Sequence, residues 1–130
     1  MLAEVEFGSF GTNDLTQYVM ASDRMDSRLS DMTTAWHPAV LRAISIASAE
    51  AVKISKPVGV CGEAAANSLL AAVLVGLGVS SLSMAPSALA EVRGFLASVD
   101  MDACRSAATA ALGARSAQEA EKFARDILEK

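Results

Sequence analysis

The chain has 130 residues, of which 52% are hydrophobic, and it carries a formal net charge of −4 at pH 7. This length and apolar content fit one domain with its own core, and the acidic balance argues against nucleic acid or an anionic membrane as a partner. The longest apolar stretch, residues 68–79, is too short to span a bilayer. With two cysteines and no targeting segment at its start, the sequence predicts a soluble, cytoplasmic protein.

Three short apolar runs predict β-strands. They lie at residues 5–10, within residues 56–63, and at residues 79–84. A helical pattern separates each run from the next, and such a crossover is what a pair of parallel strands requires. The sequence therefore predicts an α/β fold with a three-stranded parallel sheet.

Helical patterns lie between and after these runs. A short helix is predicted from Leu15, a longer one from Pro38, and an Ala/Leu-rich one over residues 64–76 that is closed by glycine. Pro86 opens another helix, and two more follow it. Three strands leave a sheet with two open edges, which is typical of part of a larger architecture such as a barrel.

Small polar residues follow the first predicted strand in the order Gly11, Thr12, Asn13, Asp14. Functional side chains in parallel α/β folds lie where strands end and helices begin. Thr, Asn and Asp are also common helix caps, so capping explains this segment equally well. Alternatively, Asp14 is a ligand for a hard metal such as Mg²⁺, beside a helix N-terminus that binds a phosphate. The spacing alone leaves both interpretations open.

Cys61 ends the second predicted strand, just before Gly62 and Glu63. A single cysteine at such a position is most often a small buried hydrophobic residue. The functional alternative is a thiol at a strand end that faces a helix N-terminus and donates a proton. A thiol redox function is disfavoured, because no second cysteine lies at CxxC spacing.

Two further residues have a structural and a functional interpretation. Arg24 is either a solvated loop residue or a guanidinium that holds a phosphate near Asn13 and Asp14. His37 is the single histidine, and its position between Trp36 and a proline favours a structural role.

Several of these segments, in the same order, resemble one family. Residues 7–18, Arg24 ten positions after Asp14, and the later segments 58–66 and 77–93 are similar to the C-terminal barrel of the enzymes that use phosphoenolpyruvate. Within them, the similarity is greatest to the phosphoenolpyruvate–protein phosphotransferases, enzyme I of bacterial sugar phosphotransferase systems. Pyruvate phosphate dikinase and phosphoenolpyruvate synthase share fewer of the surrounding residues.

The resemblance implies a (β/α)₈ TIM barrel with its site at the C-terminal ends of the strands. It assigns Asn13 and Asp14 to phosphoenolpyruvate binding, Asp14 also to Mg²⁺, and Arg24 to the phosphoryl group. Cys61 would be the proton donor to the methylene carbon of the enolate. The intact family enzyme transfers the phosphoryl group through its own histidine to the histidine phosphocarrier protein.

The resemblance also implies that parts of the site lie elsewhere. In the family, another Mg²⁺-binding glutamate and further phosphate-binding arginines precede this segment, and the acceptor histidine belongs to a separate domain, so it is not His37. We therefore expect residues 1–130 to be one incomplete domain, containing barrel strands six to eight and inactive by itself. The alternatives are a non-catalytic oligomerisation module, or a fragment of pyruvate phosphate dikinase or phosphoenolpyruvate synthase.

The open edges of such a sheet predict assembly. The first and third strands would lack neighbours, and we expect Phe10 and Val60 to point into the barrel interior and to be uncovered. Unpaired edges recruit another chain, so the sequence predicts a homo-oligomer.

Overall fold

The computed structural model describes residues 1–21 and 34–130, so the predicted site residue Arg24 lies outside the described residues. Its strands are β1 (Gly8–Gly11), β2 (Val58–Cys61) and β3 (Ser81–Ser83). They form one parallel sheet in the order β1-β2-β3. The prediction of an α/β fold with three parallel strands is confirmed.

Helices connect the strands and continue after the last one. They are α1 (Thr12–Met20), α2 (Pro38–Lys53), α3 (Glu63–Ala66), α4 (Ser68–Gly76), α5 (Pro86–Ser98), α6 (Met101–Leu112) and α7 (Ala117–Leu128), and a 3₁₀ turn at Leu2–Glu4 precedes β1. In the described part of the chain, none of these helices is long and apolar enough to cross a membrane.

The first strand starts later than the sequence predicts. The ladder with β2 opens where the Gly8 amide donates to the Pro57 carbonyl at 3.1 Å, and Val5 is exposed beyond it. The third strand is shorter than predicted for a related reason. The Val79 amide donates to the Leu74 carbonyl of α4 at 3.1 Å, and the first amide of this segment that donates to β2 is that of Ser80, to the Val58 carbonyl at 2.8 Å.

The predicted helix over residues 64–76 is divided in two. Asn67 has an extended backbone, and its side-chain oxygen accepts a hydrogen bond from the Leu70 amide at 2.9 Å, which makes it the N-cap of α4. The second half ends at Gly76 as predicted. Gly78 follows with φ +101°, the left-handed conformation that glycine adopts most easily at a helix end.

One face of the sheet packs on the helices. Phe10 pairs with Val60 in the ladder, Val60 pairs with Leu82, and all three pack in the hydrophobic core, where Val60 is 1% exposed. The expectation that Phe10 and Val60 are uncovered in the barrel interior is therefore wrong. Side chains alternate along a strand, so the opposite, exposed face carries the small residues Cys61 and Ser83.

The core lies on the helical side of the sheet. Helix α4 is buried on all sides, with Leu69, Leu70 and Leu74 among its covered residues. Helices α5, α6 and α7 pack against it, and α6 also packs against α2. The helices after β3 therefore thicken the helical layer, and the strand ends stay at the surface.

Candidate functional site

Two of the predicted segments meet at one edge of the sheet. β1 ends at Gly11 where α1 begins, and β2 ends at Cys61 just before α3. Gly11 and Cys61 are partners in the parallel ladder, so the two strand ends lie side by side, about 4.8 Å apart. Asn13, Asp14 and Cys61 are thereby brought to the same edge, although about fifty residues separate them in the sequence.

The capping interpretation of the first segment is wrong in this structure. The N-cap of α1 is Gly11, and none of the side chains that the structure describes caps this helix. The Thr12 hydroxyl instead donates to the Cys61 carbonyl on the neighbouring strand at 3.3 Å. Within the described residues, no hydrogen bond or ion pair involves the side chains of Asn13 and Asp14. An uncapped helix N-terminus and the uncommitted Asn13 amide are suited to an anionic ligand, whereas the uncommitted Asp14 carboxylate is suited to a cation.

The carboxylate of Asp14 turns back toward the strand end. Its Oδ2 lies 4.0 Å from the point where a Cβ on Gly11 would stand. Proteins usually bind Mg²⁺ through one or two carboxylates together with phosphate oxygens and water, so Asp14 fits as one such ligand. Over residues 1–21 and 34–130, no group of three or more His, Cys, Asp or Glu residues forms a complete metal site.

Cys61 is exposed, whereas Cys104 is buried in α6. The exposure of Cys61 contradicts its interpretation as a small buried hydrophobic residue. Its Sγ donates to the Phe10 carbonyl at 3.5 Å. The turn after it needs glycine, because Gly62 has φ +105°, and the Gly62 amide donates to the Ser83 carbonyl at 3.2 Å. β1 therefore holds the thiol itself, and β3 holds the turn that follows it.

A pocket of about 300 Å³ adjoins these turns. Asn13, Trp36, Glu63 and Asn67 are among the residues that line it. Of the residues predicted for the site, Asn13 lines this pocket. Glu63 also lines it, although the sequence alone assigns this residue no role. Trp36, just before α2, was not predicted to line a site, because its place in the same pocket as Glu63 depends on the tertiary fold.

The structural interpretation of His37 is confirmed. It is the N-cap of α2, and its Nδ1 accepts a hydrogen bond from the Ala39 amide at 3.2 Å. The ring therefore satisfies one of the free amides at the start of that helix.

Comparison with known proteins shows similarity over most of the chain. Residues 1–101 match the family model described as "PEP-utilising enzyme, PEP-binding domain". A phosphoenolpyruvate-protein phosphotransferase of Streptomyces coelicolor is 50% identical over 129 residues, which cover 98% of this chain and 23% of the relative. The protein of the same name from Bacillus subtilis is 38% identical over 125 residues, which cover 96% of this chain and 19% of the relative.

A third relative has a different name. Multiphosphoryl transfer protein 1 of Escherichia coli is 40% identical over 118 residues, which cover 91% of this chain and 14% of the relative. The chain thus spans less than a quarter of the length of these curated relatives. Since the family model matches most of the chain, the chain belongs to the family of PEP-utilising enzymes, through their PEP-binding domain.

Proposed function

We propose that these residues form part of the phosphoenolpyruvate site of a phosphoenolpyruvate–protein phosphotransferase. The intact enzyme would transfer the phosphoryl group of phosphoenolpyruvate through its own histidine to the histidine phosphocarrier protein. The observation that carries the proposal is the meeting of two strand ends, one with Asn13 and Asp14 at an uncapped helix start and the other with the exposed thiol of Cys61. The names of the similar phosphotransferases support it.

Each of these groups has a role that fits its chemistry. The Asn13 side chain and the first amides of α1 would bind the anionic substrate, with Arg24 on its phosphoryl group. Asp14 would hold Mg²⁺, which when bound neutralises charge on the phosphate oxygens. As the phosphoryl group leaves, the enolate of pyruvate remains. Cys61 would give its thiol proton to the methylene carbon of this enolate, which forms the methyl group of pyruvate and leaves a thiolate.

The proposal includes the architecture around the site. Residues 1–130 would be one incomplete domain, with β1, β2 and β3 as strands six to eight of a (β/α)₈ barrel. The remaining strands would supply a second metal ligand and further arginines, so residues 1–130 alone would not turn over phosphoenolpyruvate. A cytoplasmic location is part of the proposal, and the two free cysteines suit it.

The second candidate function is a non-catalytic oligomerisation module. The observation that favours it is the sheet itself, since β1 and β3 each pair on one side only within the described residues. A homo-oligomer is compatible with both candidates. Fragments of pyruvate phosphate dikinase or phosphoenolpyruvate synthase are less favoured than a phosphotransferase, because the similar relatives described above carry phosphotransferase or phosphoryl transfer names.

Replacement of Asp14 in the phosphotransferase that contains this segment tests the first candidate. Asp14→Ala should abolish Mg²⁺-dependent formation of pyruvate from phosphoenolpyruvate, with the fold intact by circular dichroism. Asp102→Ala is the matched control, because Asp102 is likewise an acid in the first turn of a helix and pairs with Arg105 at 3.6 Å. Full activity of Asp14→Ala would contradict the assignment, and an equal loss in Asp102→Ala would show a general effect of helix-terminal charge.

A further inference from the structure

Thr12 is the residue of the first strand end that the proposed function leaves without a role. It is 1% exposed, and its hydroxyl donates to the Cys61 carbonyl at 3.3 Å. In the opposite direction, the Cys61 thiol donates to the Phe10 carbonyl at 3.5 Å. Thr12 thus holds the backbone of Cys61, and Phe10, two positions earlier, holds its side chain.

The hydroxyl also contacts the turn that follows Cys61. A Cβ built on Gly62 would lie 3.7 Å from the Thr12 Oγ1, so this oxygen packs against Gly62, whose φ is positive. On the other side, the Gly62 amide donates to the Ser83 carbonyl. The peptide group between Cys61 and Gly62 therefore has one partner at the start of α1 and one on β3, which restricts its rotation.

We propose that Thr12 is a positioning residue that orients the Cys61 thiol for proton transfer, an inference that rests on the proposed function of Cys61. Thr12 directly precedes Asn13 and Asp14. Its buried hydroxyl therefore connects the segment that would bind the phosphate to Cys61, the proposed proton donor. Its hydrogen bond keeps the Sγ of Cys61 near the strand end, where the methylene carbon would lie. A proton donor is effective only within hydrogen-bond reach of its target, so loss of this bond lowers the rate of protonation.

Kinetics of the phosphotransferase that contains this segment test the role. Thr12→Val keeps the shape of the side chain and removes the hydroxyl, so kcat for pyruvate formation should fall about ten- to a hundredfold. The KM for phosphoenolpyruvate should stay the same, and Thr12→Ser should restore kcat because it restores the donor. In the double variant with Cys61→Ala, Thr12→Val should cause no further loss, because Thr12 acts through Cys61. A raised KM, or losses that multiply in the double variant, would overturn the proposal.

The S–H stretching band in the infrared spectrum tests the geometry in the 130-residue chain itself. The Cys61 band should show a hydrogen-bonded thiol in the unaltered protein and move toward a free thiol in Thr12→Val, while the Cys104 band serves as an internal reference. Thr16→Val is the matched control. Thr16 is also buried, at 2% exposed, but its hydroxyl has no partner in the described part of the structure, so the Cys61 band should not move.

The two measurements separate the possible failures. A free-thiol band for Cys61 in the unaltered chain would overturn the positioning role even if Thr12→Val does not fold. The other case is a Cys61 band that shows a hydrogen-bonded thiol and shifts in Thr12→Val, while the unaltered enzyme does not consume phosphoenolpyruvate. In that case the contact between Thr12 and Cys61 would be correct and the proposed function would be refuted.

Discussion

Gly76 in α4 and Cys104 in α6 meet backbone to backbone. A Cβ built on Gly76 would overlap the carbonyl group of Cys104, and the side chain of Ala108 would lie 3.0 Å away. Only a residue without a side chain permits this approach. The contact joins α6 to the buried helix α4, and α7 packs on both. Gly76 therefore holds the helical layer close together on the side of the sheet away from Cys61.

Gly76→Ala should destabilise the protein. The added methyl group meets backbone atoms that cannot rotate away, so we expect the free energy of unfolding to fall by about 1–3 kcal/mol. Gly94→Ala in α5 is the matched control, because in the described part of the chain no atom beyond its own helix backbone and chain neighbours lies within 4 Å of its added Cβ. That change should raise the free energy of unfolding by about 0.5–1 kcal/mol, since alanine favours helix more than glycine does. Urea unfolding followed by circular dichroism measures both, and a stabilised Gly76→Ala protein would refute the contact.

Cys104 should make the protein less stable at alkaline pH. Burial, and to a lesser extent the nearby Asp100, raise the pKa of the Cys104 thiol in the folded protein. Its contribution to stability is therefore complete below the pKa of the unfolded chain, roughly 8.5, and is lost as pH rises toward the folded pKa. The free energy of unfolding should fall above about pH 8.5, and this fall should be smaller in Cys104→Ala.

Ser48→Ala is the control for this pH dependence. Ser48 is buried like Cys104, and its side chain does not titrate in this range, so its replacement should leave the alkaline fall unchanged. Urea unfolding at a series of pH values measures the effect. If Cys104→Ala and the unaltered protein lose stability equally, burial of the thiol is not coupled to folding.

The order of elements could be predicted, and so could the position of the strand end before Asp14 beside the strand end at Cys61, because both depend on local patterns. Apolar runs alternate with helical spacing, and the carboxyl ends of adjacent parallel strands always share one edge. The face of the sheet on which Val60 lies could not be predicted. β2 has a glycine at its second position and is buried through its first three residues, so its sequence lacks the polar alternation that marks a solvent face.

Other features depend on contacts between distant parts of the chain. Asn67 is a good helix cap, but it stands among alanines that favour a continuous helix, so local preference alone does not show the break before α4. Trp36 lines the same pocket as Glu63, and no local pattern in the sequence indicates this. The hydrogen bond of Thr12 to Cys61 likewise depends on the register between β1 and β2.

Cys61→Ala should separate substrate binding from turnover in the phosphotransferase that contains this segment. Loss of a positioned proton donor typically costs about 10²- to 10⁴-fold in rate, whereas phosphoenolpyruvate would be held by Asn13, Asp14 and Arg24. We therefore expect a much lower kcat with an unchanged affinity in equilibrium binding. Cys104→Ala is the control, because this buried cysteine lies in α6, and it should leave turnover unchanged. A Cys61→Ala protein that retains its turnover per folded molecule would show that the thiol is not the proton donor.

The edge of β1 should mediate assembly of the 130-residue chain. The Gly8 amide donates toward β2, so by alternation along the strand the Ser9 amide points away from it. Within residues 1–21 and 34–130 this amide has no partner, so it can pair with another chain. Light scattering at micromolar concentration should give the mass of a dimer or a larger oligomer. Ser9→Pro removes this outward donor without breaking the ladder to β2, and it should lower the mass. Ser9→Ala retains the amide and should not. A folded monomer at that concentration would show that the unpaired backbone of β1 is satisfied by water, and the oligomer proposal would then be wrong.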